Sequence, residues 1–128
     1  LASEGNERKL HDMLHERLND MLCQFYKTID YTANKRICIV GNTAMSRIAQ
    51  NLPVKQLITP PFPNSYYETK EYIGEESGLR VDKNTKVSYL PGIGGHVGSD
   101  ITAVMLATDL VNQNKTTIDI NIGTKLYY

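Results

Sequence analysis

The chain has 128 residues, with 14 basic and 14 acidic side chains and a formal net charge of zero. That length allows one modest domain or domain fragment with its own core, and the balanced charge argues against a nucleic-acid or membrane-surface protein, both of which carry a basic excess. No apolar run approaches the roughly 20 residues that cross a bilayer, no signal-peptide pattern opens the chain, and a 41% hydrophobic fraction excludes a disordered segment.

Residues 6–29 read as one long amphipathic helix. Leu10, Met13, Leu14, Leu18, Met21, Leu22, Phe25 and Ile29 recur at three- and four-residue steps, while Glu7, Lys9, Asp12, Glu16 and Asp20 take the other face. Asn6 suits the cap and Glu7 the first turn. A helix with a single apolar stripe must dock to be stable. A core-covering role is expected, since the charged face is mixed in sign rather than basic. His11 and His15 stand one turn apart, a spacing able to hold a metal. No Glu of an H-E-x-x-H motif lies between them, and their charged neighbours predict a solvated face, so no metal site is assigned. Cys23 and Cys38 belong to no C-x-x-C pair, and two thiols alone hold neither an iron–sulfur cluster nor a structural zinc. Both are expected as buried free thiols, in keeping with a reducing, cytoplasmic location.

Residues 36–40, Arg-Ile-Cys-Ile-Val, predict a buried strand of a parallel sheet. Gly41-Asn42-Thr43 ends it and caps a helix over 43–51, with Ala44, Met45, Ile48, Ala49 and Leu52 as its apolar face. These three residues thus stand at a strand C-terminus, where α/β sheets place ligand contacts. Residues 53–82 are broken by Pro53, Pro60, Pro61 and Pro63 and carry Phe62, Tyr66, Tyr67 and Tyr72. Within them, 71–79 is compatible with a short strand or a short helix. Residues 86–90 predict a second strand. A helix capped by Ser99 or Asp100 is expected to run to 113, with Ile101, Val104, Met105, Ala107, Thr108, Leu110 and Val111 inward. Residues 116–122 predict a third strand ending at Gly123-Thr124. Strands alternating with helices imply an α/β fold with a mostly parallel central sheet.

Between the second strand and the last helix lies Leu90-Pro91-Gly92-Ile93-Gly94-Gly95-His96-Val97-Gly98-Ser99-Asp100. Its glycines permit sharp turns and close approach of backbone N–H groups to a ligand, and the following helix N-terminus attracts anions. Phosphate binding is one reading. A tight strand-to-helix turn packed against a neighbour is the other. A dinucleotide-binding βαβ unit is a third, with Asp119 as the ribose acid, but Gly98 falls one residue late for the G-x-G-x-x-G spacing.

Three blocks occur in order: Val40-Gly41-Asn42-Thr43-Ala44-Met45, the glycine block, and Ile118 to Thr124. With Pro60-Pro61-Phe62-Pro63 between the first two, the set resembles the reductive activators of corrinoid proteins over residues 36–124. The resemblance implies a piece of an actin-like, ribonuclease-H-like lobe of the acetate and sugar kinase superfamily. It implies ATP or ADP with Mg²⁺ as cofactor, a corrinoid protein of a methyltransferase system as partner, and an iron–sulfur cluster only outside this chain. In that family an ATP-coupled, one-electron reduction restores Co(I) for methyl transfer.

By resemblance, the candidate nucleotide contacts are Gly41, Asn42 and Thr43; Gly94, Gly95, Gly98 and Asp100; and Gly123 and Thr124. Asp100 is also a natural helix cap. The third block departs from the family's Asp-Ile-Gly-Thr-Asn-Gly-Glu. Asn121 stands at the aspartate, and an amide is no carboxylate toward Mg²⁺; Lys125-Leu126-Tyr127 replaces Asn-Gly-Glu. The earlier phosphate hairpin and the cluster cysteines are not found, so the chain is expected to be an excised piece or a reduced relative, serving nucleotide binding, partner docking, or both. A non-catalytic interaction module with a degenerate nucleotide site is the competing class. An exposed docking face would also permit self-association.

Overall fold

A computed structural model describes residues 6–28, 36–57, 68–93, 97–114 and 116. Helix α1 spans Glu7–Phe25, strand β1 Arg36–Ile39, helix α2 Thr43–Ala49, strand β2 Lys70–Ile73, strand β3 Lys86–Tyr89 and helix α3 Ser99–Ala107, with short 3-10 turns at Lys55–Leu57, Gly74–Ser77 and Leu110–Asn112. The expected last strand, 116–122, and the segment 60–67 lie outside the described residues, Thr116 excepted.

The three strands form one sheet in the order β1-β3-β2. β1 runs parallel to β3, with Arg36 opposite Lys86 and Ile39 opposite Tyr89. β2 runs antiparallel to β3, with Lys70 opposite Tyr89 and Ile73 opposite Lys86. The described sheet is therefore mixed, not mostly parallel. The difference arises at 70–77, where strand and helix both occur: four extended residues and then a 3-10 turn. Gly78 closes that turn at φ +73°, a left-handed conformation that glycine takes without Cβ strain. On the outer face Lys86 and Glu71 pair at 2.7 Å. The Lys86 ammonium, helped by the Ser88 hydroxyl, holds the Glu71 carboxyl below its usual range.

β3 is central and alternates, with Val87 and Tyr89 buried. Ala49 and Leu79 complete the buried cluster, and Leu14, Leu18, Leu22, Ile37, Ile39, Tyr72 and Val81 pack around it. So α1 covers the sheet, as its periodicity requires. It covers it with a different stripe from the one its largest apolar residues mark. Met13, Met21 and Phe25 are more than half exposed, and the docked line is Leu14, Leu18 and Leu22 together with His11, His15 and Asn19. The expectation of solvated histidines is overturned. His15 is buried, because its ring meets the backbone of two other elements.

The expectation of buried thiols is overturned too: Cys23 and Cys38 are both exposed. Cys23 lies off the docked stripe of α1. Cys38 takes an outward position in β1, whose residues alternate between exposed and half-buried. Asn6 stands at the start of α1 but makes no side-chain cap bond. α3 ends at Ala107, six residues short of the expected 113. The Thr108 hydroxyl bonds the Val104 carbonyl and Asp109 turns left-handed at φ 52°, a conformation Asp tolerates better than most residues. Its Leu106 and the following Val111 are consequently exposed.

Candidate functional site

The C-terminal ends of the parallel strands β1 and β3 bring two of the sequence blocks together. Leu90 N–H donates to the Ile39 carbonyl at 3.1 Å, carrying the strand pairing one step past β3. Beyond this point β1 turns through Gly41-Asn42 into α2. β3 leads through the glycine block into α3.

Asn42 caps α2 as its residue type predicts, its Oδ1 accepting from Met45 N–H at 2.9 Å. At α3 the cap position is Gly98, not Ser99 or Asp100. The reason is close packing. A Cβ on Gly98 would stand 2.4 Å from both the Asn42 Cα and the Gly41 carbonyl oxygen, so only glycine fits where the second loop crosses the first. Ser99, one residue inside the helix and fully buried, serves as a staple. Its Oγ accepts from Gly41 N–H at 3.1 Å and lies 3.3 Å from the Gly41 carbonyl oxygen. That same carbonyl also accepts from the Ser46 hydroxyl at 3.2 Å and, at 3.4 Å, from Asp100 N–H. Farther back, Ile93 N–H donates to the Val97 carbonyl at 2.9 Å, closing the glycine loop on itself. The described part of the block is thus close-packed at Gly92 and Gly98, where a Cβ would meet backbone.

Of the candidate residues, Gly41, Asn42, Thr43, Gly98 and Asp100 meet at this junction. Gly94 and Gly95, with His96, lie outside the described residues, as do Gly123, Thr124 and Asn121. The donors available to an anion are few. Gly41 N–H, Met45 N–H and Ile101 N–H are all engaged within the protein, the last by the Asp100 carboxylate at 3.0 Å. That carboxylate places negative charge in the first turn of α3, where a phosphate would otherwise be attracted. The hydroxyls of Thr43 and Thr102 are buried and bonded to nothing among the described residues. The described part of the junction does not by itself fit a phosphate group. Nor does the described chain fit an iron–sulfur cluster: its two cysteines sit on different elements, and no group of three or more metal-ligating side chains occurs among the described residues.

Among the described residues the rim of the junction carries four exposed apolar side chains. Val40, Met45, Ile93 and Val97, each within three residues of the crossing loops, are all more than two-fifths exposed. Periodicity assigned Met45 to an inward face. Sequence reasoning missed this exposed rim, whose signal was four large apolar residues beside glycines.

A family model, the RACo middle region, matches residues 1–113. The chain belongs to that family. The match agrees with the resemblance carried by the sequence blocks. The chain is also 29% identical over 127 residues to the corrinoid activation enzyme RamQ of Eubacterium limosum, an alignment that takes in 96% of this chain and 21% of RamQ. This RACo middle region thus spans about a fifth of the length of the curated relative it matches. No solved structure matches it, so the actin-like lobe implied by the resemblance has no structural neighbour in support. No described helix is long and apolar enough to cross a membrane.

Proposed function

We propose that this chain is the part of an ATP-dependent reductive activator that docks on a corrinoid protein, in a system that returns cobalt to Co(I) for methyl transfer. The supporting observation is the apolar rim of Val40, Met45, Ile93 and Val97 around two loops locked by Ser99 and Gly98. A fixed backbone presenting exposed large apolar side chains loses little entropy on association, and such patches mark interaction sites. The name and similarity of RamQ support the corrinoid system as the setting. The docking role is preferred to nucleotide binding because the described helix-terminal donors are engaged internally and Asp100 is anionic.

The test is binding of the chain to a Co(II) corrinoid protein by biolayer interferometry. Met45→Asp with Ile93→Asp is expected to weaken binding by at least about tenfold, as loss of central apolar anchors does. Unchanged affinity contradicts the docking role.

Nucleotide binding stands as the second reading, favoured by the unpartnered Thr43 and Thr102 hydroxyls. It would require Gly94, Gly95, Gly123 and Thr124 to supply the remaining contacts. A thermal-shift titration with Mg-ADP, Mg-ATP and NAD separates the cases, because a ligand that binds only the folded chain raises its melting temperature. A shift with adenine nucleotides alone supports that reading. A shift with NAD alone supports the dinucleotide-binding unit.

A further inference from the structure

Away from the loop junction, a half-open cleft of about 160 Å³ lies between α1, the end of α2 and the turn after β2. His11, Gln50, Tyr72, Glu76, Ser77 and Tyr89 line it. Its hydrogen-bonding capacity is lopsided. Tyr89 is only 3% exposed, and its hydroxyl has no partner among the described residues. The Gln50 amide donates its Nε2–H to the Ser46 carbonyl at 3.1 Å, and Oε1 is left buried and unpartnered. His11 Nδ1–H donates to the Ile48 carbonyl at 3.0 Å, so the neutral ring keeps its lone pair on Nε2. Ser77 contributes nothing further, since its hydroxyl donates to the Gly74 carbonyl and accepts from Leu79 N–H.

The buried unmet groups are therefore an amide oxygen, which accepts, and a phenol hydroxyl, which accepts and donates, with the imidazole Nε2 as a further acceptor on the lining. Two such groups left unmet in a protein interior carry a desolvation cost, and each calls for an explanation. Among the described residues the Glu76 carboxylate is the single formal charge on the lining, and no lysine or arginine lines the cleft. Tyr72 and Tyr89 stand edge-to-face with ring centroids 5.8 Å apart, an apolar wall for a methylene chain.

We propose that this cleft is a binding site for a primary alkylammonium group. Its three N–H donors answer the surplus of acceptors, its charge answers Glu76, and its methylenes lie against the tyrosine pair. A cavity near 150 Å³ holds a ligand of about six non-hydrogen atoms, the size of n-butylammonium or the end of a lysine side chain.

An NMR titration of the ¹⁵N-labelled chain tests the site, with n-butylammonium chloride, Nα-acetyl-lysine methylamide and the neutral isostere n-butanol at matched ionic strength. Saturable shifts at the Gln50 side-chain amide and His11 are expected, with a Kd of about 1–10 mM for so small a ligand. Binding of both amines assigns the site to a lysine side chain; binding of n-butylammonium alone assigns it to a free amine; either result supports it. Tyr89→Phe retains the fold, since it removes only an unpartnered hydroxyl. It is expected to weaken binding by about fivefold, and Glu76→Gln at the surface by about tenfold. Absence of saturation at about 50 mM, equal shifts with n-butanol, or wild-type affinity in both variants overturns the proposal.

Discussion

At His15 an imidazole, 6% exposed, is held between carbonyls of two other elements. Its Nε2–H donates to the Ala49 carbonyl at 2.8 Å, and Nδ1 lies 3.3 Å from the Gly78 carbonyl oxygen. Ala49 ends α2, so the contact satisfies one of the carbonyls that a helix terminus leaves unpaired. His11 adds a bond to the Ile48 carbonyl, which also accepts from Asn51 N–H at 3.0 Å, and the two rings lie 4.0 Å apart. His15→Ala removes both contacts and opens a cavity, and is expected to cost about 2–4 kcal/mol, read from the urea midpoint. The pair was legible as a helical i, i+4 spacing but not as a core contact. Nothing in the local sequence shows that two carbonyls will face it.

Tyr89 makes a second prediction. Burial, reinforced by Tyr72, pushes its phenol up to about 12 from 10.0. Between pH 10 and about 12 the unfolded chain has lost the proton that the folded chain retains. Stability is therefore full below pH 10 and falls as pH rises through that window, by on the order of 2–3 kcal/mol. In Tyr89→Phe this part of the fall disappears, and stability at neutral pH is expected to equal the wild type or exceed it by about 1 kcal/mol. A denaturation series across pH 9–12 checks both.

Among the elements, the strand-end junction is the feature most dependent on particular residues. Gly98→Ala would drive a Cβ into backbone on the opposite loop, where neither side can yield cheaply. A loss of about 3 kcal/mol or more, or failure to fold, is expected. Gly41→Ala is the matched control. A Cβ there meets only Ser46 Oγ at 3.5 Å and Met45 Cβ at 3.6 Å, so a change within about 0.5–1 kcal/mol is expected. Equal losses for both glycines would contradict the crossing described above. Thermal melts of the two variants decide it.

The same scale shows why some elements were readable. β3 carries Val87 and Tyr89 inward with period two, and Asn42 is a strong cap residue, so both local structures follow from residue type. The mixed sheet was not readable, because 70–77 divides one short stretch between extended and 3-10 backbone. The docked face of α1 was read only in part: Leu14, Leu18 and Leu22 of the expected stripe pack on the core, while Met13, Met21 and Phe25 do not. Two helical stripes compete: Met13, Met21 and Phe25 are the larger apolar residues, yet the leucine line with His11, His15 and Asn19 makes the contacts. Asn19 illustrates how: its Oδ1 accepts from Arg80 N–H at 2.6 Å, a tie across 61 residues that no local pattern encodes.

On the scale of the whole molecule, the chain spans about a fifth of the length of RamQ. The candidate loops were legible as glycine-rich strand ends, and their meeting follows from parallel pairing of β1 with β3. Their chemistry was less so. The glycines that suggest a phosphate loop also serve close packing, and at Gly98 packing decides the residue. Val40, Met45, Ile93 and Val97 remain exposed around them, and the proposed docking role rests there. The most direct test is an NMR map of the ¹⁵N-labelled chain on addition of a Co(II) corrinoid protein. Perturbations centred on residues 40–46 and 90–101 are the expected result. Perturbations confined to the outer face of α1, around Met13 and Met21, or none at all, would contradict it.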